Sequence, residues 1–130
     1  MSASVNKILF YYLPVIIWLV LIFGISSLSH LPDVRQYWLP LDTIGHFFEY
    51  AVLGFLIVRA VYFGNTAPDL KQSVMITMGI ALFISAADEF HQLYIPERIA
   101  SIPDFIANCA GIGMSLIFFR WYVNRSKTRR

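Results

Sequence analysis

The chain has 130 residues, of which 58% are hydrophobic and 14% are charged, with a formal net charge of +2. Soluble domains carry about 25% charged residues, so this composition excludes a water-soluble globular domain and predicts a small membrane protein. The length suits one domain covering residues 1–130. Cys109 is the only cysteine, which excludes an internal disulfide and a thiolate metal cluster.

Four segments are candidates for membrane-spanning helices, each of which needs about 20 mostly apolar residues. They cover residues 8–28, 44–63, 74–95 and 103–122. Segments that contain proline or glycine separate them, and these residues interrupt helices. The first span is longer than the apolar core of a signal peptide and no cleavage site follows it, so we expect it to be retained. The sequence therefore predicts an all-α bundle of four transmembrane helices.

The orientation of the bundle follows from the distribution of lysine and arginine, which concentrate on the cytoplasmic side of membrane proteins. If both termini are cytoplasmic, eight of the ten Lys and Arg residues lie inside, and only Arg35 and Arg98 lie outside. This asymmetry predicts that both the N-terminus and the C-terminus face the cytoplasm. The loop that contains Arg98 is then at the outer face.

The second predicted helix carries a polar stripe near its outer end. Asp42, His46 and Glu49 stand at positions i, i+4 and i+7 and therefore share one face of the helix. Lipid does not solvate such side chains, so they are expected to face the other helices. Asp42 has an alternative interpretation as a helix cap.

The third predicted helix carries a second polar stripe. Asp88, His91 and Gln92 stand at i, i+3 and i+4, and Glu89 lies about 100° around the helix from Asp88. Ionisable residues inside a membrane span are functional candidates by default. Gln92 has a simpler alternative role in an interhelical hydrogen bond.

The fourth predicted helix begins with a third polar stripe. Asp104 and Asn108 stand at i and i+4, and the small residues Gly111 and Ser115 continue the same face. Small residues at this spacing permit close contact between helices. Alternatively, Ser101 and Asp104 form a variant of the capping box, and Asn108 makes only an interhelical hydrogen bond. Together, the stripes predict a shared polar cluster near the outer face.

Two segments of the chain resemble the VanZ-like family of small bacterial membrane proteins. They are DTIGHFFEYAVLG (residues 42–54) and DEFHQLYIPERIASIPDFIANCAG (residues 88–111), which lie on successive helices in the family's order. The positions that match the family's motifs are Asp42, His46, Asp88, Glu89, His91, Gln92, Arg98, Asp104 and Asn108. The resemblance implies a multi-pass protein of the bacterial cytoplasmic membrane, in a family whose founding member is associated with resistance to the glycopeptide teicoplanin.

The chain departs from the family's pattern at two places. Thr43 stands where the family commonly has lysine, and Pro96-Glu97-Arg98-Ile99 stands where it commonly has Pro-Gly-Arg-Ser. Both changes make the outer polar cluster more acidic. They leave the expected fold unchanged and put a role of this chain in drug resistance in question.

The sequence leaves three functions open, and the first is binding. An anionic envelope lipid or a lipid-linked cell-wall precursor would place its phosphate on Arg98, because arginine suits phosphate recognition. Asp42, Glu49 and the other acids would then hold Arg98, and a protonated His46 or His91, in place. The expected partners are membrane lipids and such a precursor, and no nucleic acid. An alternative for Arg98 is an ordinary solvated loop charge.

The second function is that of an intramembrane hydrolase or transferase. Acid and imidazole side chains can provide general acid and base groups or bind a divalent metal ion. The candidate metal ligands are His46, Asp88, Glu89 and His91, and no other cofactor is expected. The third function is a transporter coupled to protons or cations, for which four helices would need to form a homo-oligomer.

Overall fold

The computed structural model describes residues 3–28, 41–64, 69–96, 98 and 100–128, and these residues form helices and no strand. The helices are α1 (Ala3–Ser26), α2 (Leu41–Gly64), α3 (Leu70–Gln92) and α4 (Ile102–Thr128). Each is long and apolar enough to cross a membrane. The predicted all-α bundle of four spans is therefore confirmed. Arg35 lies outside the described residues, and the orientation stays a prediction.

The ends of the helices differ from the predicted bounds by up to six residues. α1 begins five residues earlier and α4 ends six residues later than predicted. The end of α4 from Asn124 to Thr128 is polar and exposed, because a helix satisfies its own backbone hydrogen bonds and can continue beyond the apolar layer. α3 begins earlier because Asp69 caps it, accepting a hydrogen bond from the backbone N of Gln72 at 2.7 Å. α3 also ends earlier, ahead of Pro96.

α2 is the central helix and packs most extensively against α4. Two glycines make this contact close. A Cβ atom added to Gly111 would clash with the backbone oxygen of Phe47 and lie 2.9 Å from the backbone nitrogen of Ala51. A Cβ atom added to Gly54 would clash with the hydroxyl of Ser115. Glycine is therefore required at Gly111, where the α2 and α4 backbones meet, as at other close helix contacts in membranes.

The outer surface of the bundle is apolar, and the interior of one end is polar. Val20, Phe83, Ile102 and Ile117 are between 67% and 77% exposed. Lipid acyl chains solvate such side chains as well as a protein core does, so an exposed apolar surface fits a membrane protein. The predicted polar stripes converge where α1 and α3 end and where α2 and α4 begin. We call this end of the bundle the polar end.

The opposite end of the bundle contains most of the described cationic residues. Lys7, Lys71 and Arg120 are exposed there. The guanidinium of Arg59 lies 4.5 Å from the ring centroid of Phe10 on α1, a cation–π contact between α1 and α2. We call this end the basic end.

Candidate functional site

A cavity of about 70 Å³ opens at the polar end, between α1, α2, the end of α3 and the segment that leads to α4. Its polar lining consists of Ser26, Asp42, His46, Glu49, Gln92 and Arg98. All but Ser26 are residues that the sequence predicted for the polar cluster. The cavity therefore brings the stripe of α2 together with the end of α3 and with Arg98.

Arg98 is largely buried beside this cavity. Its side chain is 12% exposed, and its NH1 group lies 3.3 Å and 3.5 Å from the two carboxylate oxygens of Asp42. Charge-assisted hydrogen bonds of this kind are usually about 2.7–2.9 Å long, so this pairing is loose. The Nε atom of Arg98 is buried and has no hydrogen-bond partner in the described part of the chain. Arg98 is thus not a freely solvated loop charge, and it retains unused donor capacity.

Asp42, His46 and Asp104 form a compact group beside Arg98. One potential ligand atom from each residue lies within 4.8 Å of the other two. Asp42 and His46 are adjacent because they are one turn apart on α2. Asp104 joins them because the hydroxyl of Thr43 donates a hydrogen bond to its Oδ1 atom at 2.5 Å. The arrangement has the acid and imidazole donors of a cation site.

Burial makes this group distinct from a solvated acidic surface. His46 is 6% exposed and Asp104 is 7% exposed, whereas the side chain of Asp42 is half exposed. The Nδ1 atom of His46 is buried and has no hydrogen-bond partner among the described residues. Of the four metal ligands predicted from the sequence, the structure brings only His46 into this group.

Asp88 and Glu89, on one turn of α3, face different helices. Asp88 accepts a hydrogen bond through Oδ2 from the hydroxyl of Tyr50 on α2, at 3.1 Å. The carboxylate of Glu89 accepts hydrogen bonds from the backbone N of Ser101 at 3.1 Å and from the side-chain amide of Asn108 at 3.4 Å. Glu89 therefore joins α3 to the first turns of α4.

These contacts decide between the predicted roles of the residues at the start of α4. The backbone N–H of Ser101 donates to Glu89 on another helix, and the carboxylate of Asp104 accepts from Thr43 on α2. Ser101 and Asp104 therefore do not form the capping box that was the alternative interpretation of this segment. The interhelical role predicted for Asn108 is confirmed by its contact with Glu89.

His91 and Gln92 face α1. The Nε2 atom of His91 lies 3.0 Å from the hydroxyl of Ser27, and its imidazole packs edge-on against the ring of Phe23. The amide of Gln92 donates a hydrogen bond to the hydroxyl of Ser26 at 3.1 Å. His91 thus connects α3 to α1 and lies apart from the group that contains His46, whereas Gln92 both contacts α1 and lines the cavity.

Several polar partners of the site were not predicted as site residues. Tyr50 was missed although it stands one turn after His46 on the same stripe of α2. Thr43 was noted only as a departure from a family pattern, although it positions Asp104. The spacing of Tyr50 was a usable signal, whereas the serine hydroxyls of α1 carry no periodic pattern that distinguishes them.

Nearly the whole length of the sequence matches one protein family. A sequence model of the family described as VanZ/LLP1 matches residues 4–123, which include most of all four helices. No curated protein and no solved structure matches the chain significantly. The match includes α1, which carries none of the family motifs described above. The chain therefore belongs to the VanZ/LLP1 family.

Proposed function

We propose that this protein binds the phosphate group of an anionic envelope lipid or a lipid-linked cell-wall precursor at its polar end. The observation that carries this proposal is that the guanidinium of Arg98 is largely buried beside a cavity and retains unused hydrogen-bond donors. Its contact with Asp42 is loose, and its Nε atom has no partner among the described residues. The planar guanidinium donates two parallel hydrogen bonds to phosphate oxygens, which lysine cannot reproduce.

The distribution of charge supports an outward-facing polar end. Arg98 is the only Lys or Arg that the described residues place at the polar end, whereas Lys7, Lys71 and Arg120 lie at the basic end. Cytoplasmic surfaces are enriched in these residues. The proposed site therefore faces the outside of the bacterial cytoplasmic membrane, where envelope precursors are used.

The size of the cavity limits the part of the ligand that enters it. A cavity needs about 10–15 Å³ of such space to hold one water molecule, so a volume of about 70 Å³ has room for a few small polar groups. This space accommodates phosphate oxygens, whereas a sugar or a peptide remains outside. The site therefore recognises the phosphate, and the acyl or prenyl chain remains in the surrounding lipid.

Two substitutions at Arg98 test the proposal. Hydrogen bonds to charged groups contribute about 1.5–3 kcal/mol, so Arg98→Ala should weaken the affinity for a polyprenyl phosphate roughly 10–150-fold. Arg98→Lys should also weaken it, because the bidentate geometry is lost. The affinity is measured by native mass spectrometry of the protein in uncharged lipid nanodiscs.

Arg120→Ala is the matched control, because it removes an exposed arginine at the basic end. It should leave the affinity for polyprenyl phosphate unchanged. Wild-type affinity in Arg98→Ala would refute the proposed role of the guanidinium. Equal losses in Arg98→Ala and Arg120→Ala would show that only overall charge matters.

A second candidate function is hydrolysis or transfer at a phosphate-bearing lipid. The group formed by Asp42, His46 and Asp104 favours it, because a carboxylate beside an imidazole can provide general acid and base groups. In that case, the protein would release inorganic phosphate from a polyprenyl diphosphate, and Asp104→Asn would stop the release while binding persists. Absence of any release by the wild-type protein would leave binding as the function.

A further inference from the structure

We propose that Asp42, His46 and Asp104 bind a divalent first-row metal ion, for which Mn²⁺ and Zn²⁺ are suitable probes. The proposal goes beyond the proposed lipid binding, and it can be tested with the metal ion alone. It is based on the mutual distances of the ligand atoms, the unpaired buried nitrogen of His46 and the excess of carboxyl groups at the polar end.

The distances between the potential ligand atoms are close to those of an occupied site. Zinc binds imidazole nitrogen and carboxylate oxygen at about 2.0–2.2 Å and is usually tetrahedral, so two of its ligands are about 3.4 Å apart. The three ligand atoms of this group lie within 4.8 Å of one another. A pair at this upper limit must therefore approach by about 1.4 Å, which side-chain rotations provide.

The imidazole of His46 has unused binding capacity at this position. Its Nδ1 atom is buried and has no partner among the described residues, and the residue is only 6% exposed. Buried polar atoms are nearly always hydrogen-bonded, so an unpaired one requires an explanation. The ring lines the cavity, and its neighbours Asp42 and Asp104 both offer carboxylate oxygens. A cation bound by this ring and the two carboxylates would be such a partner.

Thr43 gives Asp104 the support that metal ligands commonly have. Its hydroxyl donates to one carboxylate oxygen of Asp104, which fixes the orientation of the carboxyl group. Ligating carboxylates are generally held by such outer hydrogen bonds, and removing one typically lowers metal affinity roughly 10–100-fold. Thr43 is therefore a positioning residue for the site.

The balance of charged groups favours a cation. Asp42, Glu49 and Asp104 are three carboxyl groups near a single guanidinium, that of Arg98. Such an excess of acids opposes the binding of a bare phosphate. A divalent ion neutralises part of the excess negative charge and binds Asp42, which then no longer pairs with Arg98. The guanidinium is then available for a phosphate, so the metal ion and the phosphate should increase each other's affinity.

The types of ligand indicate which ions fit. Calcium and magnesium prefer oxygen ligands, whereas imidazole is favoured by zinc and other first-row transition metals. One nitrogen with two carboxylates is therefore expected to favour Zn²⁺ over Ca²⁺ and Mg²⁺, and Mn²⁺ serves as a weaker, paramagnetic probe of the same ligands. Because Asp42 is half exposed, further coordination positions remain accessible to water or to a ligand.

The test measures Mn²⁺ binding to the full-length protein in an uncharged detergent. Calorimetry should show one Mn²⁺ bound per protein molecule, with at least a tenfold loss of affinity in His46→Gln and in Asp104→Asn. Pulsed electron paramagnetic resonance should show the nitrogen modulation of one coordinated imidazole, which His46→Gln removes. His91→Gln should retain that modulation, because His91 contacts Ser27, directly after α1, and Phe23 on α1.

Two further variants keep the test decisive if a buried substitution prevents folding. Thr43→Lys places a positive charge beside Asp104 and should abolish Mn²⁺ binding without removing a ligand. Asp69→Asn alters an exposed acid at the basic end, where asparagine also caps helices well, and should bind Mn²⁺ like the wild type.

Absence of Mn²⁺ and Zn²⁺ binding by the folded wild-type protein would overturn the proposal. Unchanged affinity in folded Thr43→Lys or Asp104→Asn would also overturn it, because the ion would then bind elsewhere. Metal binding without any affinity for polyprenyl phosphate would leave the metal site in place and refute the proposed lipid function. The two proposals can therefore fail separately.

Discussion

Replacing Gly111 by alanine tests the contact that brings α2 and α4 together. The added methyl group would clash with the backbone oxygen of Phe47 and lie 2.9 Å from the backbone nitrogen of Ala51. Backbone atoms cannot rotate away as a flexible side chain can, so the two helices must separate. The contact is two turns from Asp104 on α4 and adjacent to His46 on α2, so the separation should also disturb the site.

The expected loss of stability is moderate. Overpacking a well-packed contact costs about 1–3 kcal/mol. Alanine regains up to about 1 kcal/mol of helix propensity relative to glycine. The free energy of unfolding of Gly111→Ala should therefore fall by up to about 2 kcal/mol, and it should lie about 1–3 kcal/mol below that of Gly113→Ala, which gains the same propensity without the clash. Gly113→Ala is the matched control, because a Cβ atom there meets nothing within 4 Å and its effect is that of propensity alone.

Both variants are measured by reversible unfolding in mixed micelles, with helicity followed by circular dichroism. Gly111→Ala should be less stable than the wild type, and Gly113→Ala should be equally stable or slightly more stable. The affinity for Mn²⁺ should fall in Gly111→Ala and persist in Gly113→Ala. Equal stabilities of the two variants would refute the inference that the α2 and α4 backbones meet at Gly111.

Three further predictions concern the polar contacts and the orientation. Tyr50→Phe removes the hydrogen bond to Asp88. Such bonds inside membranes contribute about 0.6 kcal/mol on average and up to about 1.7 kcal/mol, so the free energy of unfolding in the same assay should fall by an amount in that range. Glu89→Leu should destabilise the protein more than Glu89→Gln, because it leaves the backbone N–H of Ser101 without any acceptor on α3; equal losses would contradict this. A reporter fused to the C-terminus should report a cytoplasmic location, and a report from outside would place the polar end on the cytoplasmic side.

The sequence was sufficient to predict the spans and the polar cluster, because both depend on local patterns. Runs of apolar residues identify spans, and the i, i+4 spacing of Asp42 and His46 places them on one face. The helix ends were less predictable, since they depend on capping at Asp69 and on how far each helix continues beyond the apolar layer. Such features involve particular side-chain contacts.

The partners within the cluster could not be predicted, because they depend on how the helices are rotated against one another. Asp88 and Glu89 are adjacent in the sequence, yet Asp88 contacts α2 and Glu89 contacts α4. His91 satisfied the same spacing rules as His46 and instead contacts Phe23 on α1. Spacing shows which residues share a face of one helix. Which other helix packs against that face depends on contacts such as the one at Gly111.

The most direct test of phosphate recognition is a comparison of two ligands on the wild-type protein. The affinities for a polyprenyl phosphate and for the corresponding uncharged polyprenol are measured in the same uncharged nanodiscs, with and without Mn²⁺. The account predicts at least a tenfold preference for the phosphate that increases with Mn²⁺, because the guanidinium of Arg98 and the metal ion both interact with the phosphate oxygens. Equal affinities for the two ligands under both conditions would contradict it.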